Sequence, residues 1–283
     1  MAAAALLSTL APAQAAQAGP ASAVPPPPTA ALAGTWVNTN PATRSTVDLV
    51  VRTSPRGITV DGFGACSPTP CEWGLIPGTV FGPNVSAKVG TSFEAQWNFG
   101  FSRTVLVARF SLPRKVPTLT VQEFTTFTDN SGRSNYVVTE TFTKGKGVKV
   151  TKAGTPASDY PLGNPVTPVS TLPAIWINTA ATGGLRAVIL SADGPVLTVH
   201  AYGQCSPVPC NWGTVRGITF GPNVSALRGM TFLAPYKFSF ANKLLDGWVN
   251  AAGTRLTVES LTEFTDGSHR ANYLSTDTFI PLR

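Results

Sequence analysis

GACSPTPCEWG at residues 64–74 returns as GQCSPVPCNWG at 203–213, and that return decides how the chain is organised. Working outward, FGPNVSA at 81–87 recurs unchanged at 220–226, TWVNT at 35–39 recurs as IWINT at 175–179, and FTDNSGRSNY at 127–136 recurs as FTDGSHRANY at 264–273. The four blocks keep their order at an offset of 137 to 140 residues, the signature of an internal duplication. The boundaries this implies are repeat one over 33–144, a Pro/Gly/Ser/Thr-rich linker over 145–172 and repeat two over 173–283.

Within a repeat the apolar residues alternate rather than follow a helical period. Leu119, Val121, Glu123 and Thr125 interleave with Thr120, Gln122 and Phe124, and Val47, Leu49 and Val51 interleave with Asp48, Val50 and Arg52. Thr, Val and Phe suit a pleated surface, and turn signals such as SPRG, DNSG, ADGP and DGSH separate the runs. The first repeat reads as eight strands near 34–40, 45–53, 57–64, 72–81, 91–101, 103–111, 117–127 and 134–143, with no helix. Eight sequential antiparallel strands must bury one face, and closure also removes the exposed edges. The fold expected is all-β, two tandem up-and-down eight-stranded barrels, with two-sheet sandwiches as the alternative.

The ends and the composition set the setting. Residues 1–18, an Ala/Leu run followed by small-x-small tripeptides, read as a signal peptide, and the proline run of 19–32 as a spacer. A secreted, extracellular protein without a membrane span is expected. With 43% apolar and 12% charged residues the chain is not of disordered type. The net charge of +7 is spread out: 10 basic against 7 acidic side chains in 30–144, and 8 against 6 in 173–283. A nucleic-acid partner would ask for a basic stripe, and only KGKGVKVTK in the linker is rich in lysine. Oligomeric state does not follow from the sequence.

Cys66 with Cys71, and Cys205 with Cys210, are expected as local disulfides, because two prolines in each SPTP or SPVP tetrad preset a reversal. Zinc would need four converging ligands, yet the two loops lie in different repeats with no histidine cluster, so neither metal nor cofactor is implied.

The GTWVN opening, the strand number and the aromatic spacing of FEAQWNFGF resemble the avidin–streptavidin group and, more loosely, the lipocalin-like calycin barrels. That resemblance implies a small-ligand site at one barrel end. It places Asn38 and Asn178 at the asparagine that bonds the biotin ureido oxygen, Trp97 at a stacking tryptophan and Tyr202 at a ureido-bonding tyrosine. Glu140 or Asp277 would fall near the ureido-binding aspartate. Neither repeat carries the whole set: Phe63 answers Tyr202, and Tyr236 answers Trp97.

The residues themselves add candidates. Trp73 and Trp212, two positions after a clipped loop, suit ligand stacking at a rim, whereas Trp36 and Trp176 suit the core. Phe93, Ala95, Trp97, Phe99 and Phe101 share one face, as do Phe232, Ala234, Tyr236, Phe238 and Phe240. On the last strand Tyr136, Val138, Glu140 and Phe142 share a face, as do Tyr273, Ser275, Asp277 and Phe279, which sets an acid among aromatics in both repeats. Such an acid needs a partner, for which Arg103, Arg109, Arg186 or Arg270 would serve, or else it orients a ligand.

Catalysis finds little support. Both histidines, His200 and His269, lie in repeat two, and Glu123, a candidate partner for Glu140, is answered by Ser260. The reading is a non-enzymatic binding protein with a small-molecule or carbohydrate-like ligand held by Asn38, Trp73, Trp97, Glu140, Asn178, Tyr202, Trp212, Tyr236 and Asp277. The alternatives are a structural or adhesive extracellular protein and a hydrolase using the last-strand carboxylates.

Overall fold

A computed structural model describes residues 29–54, 57–147, 169–170, 172, 174–180 and 184–282. Strands β1 (Gly34–Asn38), β2 (Thr46–Ser54), β3 (Gly57–Gly64), β4 (Cys71–Phe81), β5 (Ser92–Asn98), β6 (Ser102–Ser111), β7 (Thr118–Phe127) and β8 (Tyr136–Lys144) pair in sequence order. The antiparallel pairing of β1 with β8, Trp36 opposite Lys144 and Asn38 opposite Phe142, closes the barrel. Repeat two closes likewise from β10 (Ala174–Asn178), β11 (Leu185–Asp193), β12 (Val196–Gly203), β13 (Cys210–Phe220), β15 (Thr231–Lys237), β16 (Ala241–Val249), β17 (Leu256–Phe264) and β18 (Tyr273–Pro281). Two short segments, β9 (Val169–Ser170) and β14 (Arg228–Gly229), pair in parallel outside the barrels. The sandwich alternative is thereby set aside. The signal peptide, the spacer up to residue 28 and most of the linker lie outside the described residues.

The expected fifth strand, 91–101, ends early. Gly100 takes φ +82 and turns the chain between Phe99 and Phe101, so both rings stand at the barrel rim instead of continuing the ladder. Elsewhere alternation sets the interior: Trp36, Leu49, Val51, Val60, Phe93, Ala95, Leu106, Leu119, Val121 and Phe142 form one core, and their counterparts from Trp176 to Phe279 the other. One end of each barrel is plugged. Trp36 donates its indole N–H to the Leu32 carbonyl at 2.8 Å, and Trp176 donates to that of Leu172. Truncating either tryptophan would cost about 3–5 kcal/mol, the usual effect of emptying a large buried site.

The barrels pack side by side on the outer faces of the strands from β4 to β8 and from β13 to β18. Phe81, Val107, Phe124, Phe220, Leu233 and Leu261 form a third apolar cluster between them. The repeated FGPNVSA turn of each barrel hydrogen-bonds to the SNY or ANY segment of the other. Gly82 donates its N–H to the Asn272 carbonyl and Ala271 to that of Val85, while Gly221 donates to Asn135 and Ser134 to Val224. Two of the four sequence blocks that the duplication preserves are therefore the two halves of the joint. Among the described residues no helix is long and apolar enough to cross a membrane.

Candidate functional site

The end of each barrel opposite the plug is a mouth, built from the Cys loop upward. Cys66–Cys71 and Cys205–Cys210 are disulfides with Cα atoms 5.5 and 5.4 Å apart, each joining the end of one strand to the start of the next. Just past the clip the ladder carries an extra residue: Gly62 pairs with Gly74 but Phe63 with Glu72, and Trp73 is left over. The same irregularity in repeat two falls at Trp212. Gly74 and Gly213 take φ +90 and +82 to accommodate it, a backbone that glycine alone adopts without strain. The bulge turns each tryptophan inward over a glycine floor. A Cβ on Gly64 would come within 2.6 Å of the Trp73 ring, and Gly203 is pressed equally against Trp212.

Around this tryptophan the aromatics form a continuous rim. In barrel one Trp73 meets Trp97 and Phe99 edge to face at 5.4 and 5.6 Å, Phe99 stacks on Phe101, and the Arg133 guanidinium lies 3.9 Å from the Phe127 ring centroid. In barrel two Trp212 meets Tyr236 and Phe238, which stacks on Phe240, and Arg270 lies 3.8 Å from the Phe264 centroid. Asp129 with Ser131, and Asp266 with Ser268, hold these arginines in place, and the serine hydrogen bonds, followed by the arginines, hold both Asp pKa values below the usual range. Gly132 and Gly267 take the positive φ that their turns require.

The polar floor lies beneath the rim. Asn38 donates to Glu140 Oε2 and to the Thr46 carbonyl, both at 2.7 Å, and Thr43 bonds the other Glu140 oxygen. Asn178 donates to Asp277 Oδ1 at 2.9 Å, and the Leu185 N–H donates to Oδ2 at 3.1 Å. The expected arginine partners are thus overturned. The acids are met by an asparagine and by the loop after the first strand, and Arg109 bonds Asp246 and Glu259 between the barrels instead. Burial raises the Asp277 pKa against these bonds.

Eight of the nine predicted binding residues gather in the mouths: Asn38, Trp73, Trp97 and Glu140 in one, and Asn178, Trp212, Tyr236 and Asp277 in the other. Trp97 and Tyr236 are spent inward, donating to the carbonyls of Gly74 and Val199 at 2.9 and 2.7 Å. Tyr202 does not join them. It stands on the outer face of β12, stacked on the half-buried His200 ring at 4.7 Å, because Val199 and Ala201 take the inward positions.

Other mouth residues escaped the sequence reading. Thr43 and Ser45 come from the irregular loop after β1, and Thr46 opens β2. Ser45 and Thr46 both bond Glu123, an acid fully inside the barrel whose pKa burial and the neighbouring Glu140 push up to about 7. Lys243 was also missed, although the inward alternation of Ala241, Lys243 and Leu245 would have placed it in the mouth. Below the rim the interiors are packed, with Trp36, Phe93 and Phe142 inaccessible to solvent. A ligand therefore meets only the outermost layer. An open groove of about 460 Å³ also runs between the barrels beside Trp248, Gln122 and Glu259. Among the described residues no cluster of His, Cys, Asp or Glu forms a metal site. No family model, curated protein or solved structure was found to match the chain.

Proposed function

We propose that the chain is a secreted, non-enzymatic binding protein whose two avidin-like barrels each take a small or carbohydrate-like ligand at the mouth. The observation that carries this reading is the repetition of one construction: a disulfide clip, a bulge that turns a tryptophan inward, an aromatic rim and an asparagine–carboxylate floor. A flat ring system over fixed donors and acceptors suits a ligand with one apolar face and several hydroxyl or amide groups. The disulfides fit an oxidising compartment, which supports the expected export. Two mouths on one chain would raise avidity for a surface-borne ligand.

A second reading, a structural or adhesive extracellular protein, is favoured by one observation. Both interiors are packed down to the plugged ends. A thermal-shift screen of the mature chain against glycans, biotin-like and apolar ligands separates the two. Binding raises the melting temperature, and Trp73→Ala with Trp212→Ala abolishes the shift. An adequate panel that leaves the melting temperature unmoved decides for the structural reading.

A further inference from the structure

Three of the exchanges between the two mouths change the charge of their floors, and together they take away the net negative charge of barrel one. Position by position in the strand ladders, Thr104 of barrel one answers Lys243 of barrel two, since Thr104 lies opposite Trp97 and Lys243 opposite Tyr236. Glu123 answers Ser260, opposite Leu106 and Leu245. Thr46, which bonds Glu123, answers Leu185. Barrel one thus holds two acids, of which Glu123 keeps its proton up to about 7, and no cation at its floor. Barrel two holds one carboxylate and one ammonium.

Among the described residues the ammonium makes no ion pair. Lys243 Nζ donates to Thr262 Oγ1 at 2.8 Å, and lies 4.9 Å from the Trp212 ring centroid and 5.5 Å from that of Tyr273. Ring faces attract a cation without neutralising it. Asp277 turns its two oxygens to Asn178 and to the Leu185 N–H, and no carboxylate forms an ion pair with Lys243 among the described residues. A half-buried ammonium held by the hydroxyls of Thr262 and Tyr273, with Asp277 acting on it only at longer range and no ion pair made, can take a docked anion as its direct counter-charge at the entrance of an aromatic mouth.

We propose that the mouth of barrel two binds a carboxylate-bearing ligand through Lys243, and that barrel one, with Glu123 and Glu140 in the corresponding floor, excludes it. The two mouths are then different sites on one frame, and the chain presents two specificities rather than one repeated. This rests on the mouths being ligand sites at all. Burial lowers the Lys243 pKa against the opposing pull of Tyr273 and Asp277, and an anion bound beside the ammonium would raise it again.

Calorimetric titration of the mature chain with benzoate, and with benzyl alcohol as its uncharged counterpart, tests this. Benzoate is expected to bind one site per chain, at least 10-fold more weakly in Lys243→Thr and within about 3-fold of the parent in Lys243→Arg, which keeps the charge. The double variant Thr104→Lys with Glu123→Ser is expected to create a second benzoate site. Circular-dichroism melts verify that each variant folds. Benzoate affinity unchanged in a folded Lys243→Thr overturns the proposal, as does equal benzoate binding at both mouths. Benzyl alcohol binding to both mouths without any charge preference removes this inference and leaves the proposed function standing. Failure of both probes removes both.

Discussion

Barrel one and barrel two share a backbone and differ in what they place beneath the rim. In barrel one the loop after the first strand brings hydroxyls: Ser45 and Thr46 to Glu123, Thr43 to Glu140. In barrel two the same loop brings backbone. Gly184, at φ +74, lies so close to Asp277 that a Cβ would collide with the carboxylate, and the Leu185 N–H does the bonding. Glu123 and its hydroxyl donor Thr46 have both been exchanged, for Ser260 and Leu185. A buried acid and the groups that satisfy it change as a set, because either alone would leave an unmet polar group. The lesson is that the duplicated frame constrains the rim and the joint, while the floor is free to specialise.

The joint carries the largest expected effect. Arg109 of barrel one meets Asp246 and Glu259 of barrel two, whereas the corresponding positions are Trp248 in barrel two and Val107 and Gln122 in barrel one, with Trp248 and Gln122 both lining the groove. Removing the guanidinium in Arg109→Met strands two buried acids, and a loss of about 3–5 kcal/mol is expected from urea unfolding. The mirror change, Trp248→Met, is expected to cost less than half as much. Equal losses would erase the asymmetry.

Exchanging the floor loops comes next. Gly184→Ser forces a side chain into a left-handed backbone against Asp277, for roughly 2–3 kcal/mol, while Ser45→Gly in barrel one removes one hydroxyl donor for about 1 kcal/mol. Equilibrium melts of both variants measure the difference.

The third effect is a pH dependence confined to barrel one's floor. Glu123 keeps its proton in the folded state up to about 7, whereas the unfolded chain releases it near 4.5. Its neutral form therefore stabilises the fold fully below about 4.5, and this contribution disappears as pH rises through 7, roughly 3 kcal/mol in total. Glu123→Gln is expected to flatten that decline between pH 5 and 8. What remains belongs to Asp246, which burial and Glu259 push in the same direction. A decline of unchanged slope in Glu123→Gln would show that Glu123 is ionised in the fold. Smallest is Lys243→Thr, which is expected to change stability by less than about 1 kcal/mol, since the desolvation of the ammonium is relieved as its contacts with Thr262 and Tyr273 are given up.

Much of this was legible in the chain. Alternation over 118–127 and 136–144 fixed which residues face inward, so the acids of the last strand fell where expected, and the C-x4-C loops closed as disulfides. What alternation cannot show is a bulge, which reverses one residue's facing. Trp73 and Trp212 were placed beside the mouth by proximity to the clip, while Tyr202, on the regular side of its ladder, turned outward. Nor can a single repeat reveal contacts made with the other. FGPNVSA reads as a turn in isolation and becomes half of a joint only when the second copy supplies the ANY segment it bonds. The partners of Glu140 were misread for a related reason, because short-range hydroxyls from an irregular loop leave no periodic trace.

The central claim, that the two mouths are the ligand sites, is tested most directly by fluorine NMR of the mature chain labelled with 5-fluorotryptophan, its six resonances assigned by single Trp→Phe variants. Titration with a ligand found by the thermal screen is expected to move the Trp73 or Trp212 signal and leave Trp36 and Trp176, at the plugged ends, in place. Movement confined to Trp248 would put the ligand in the groove between the barrels and contradict the account.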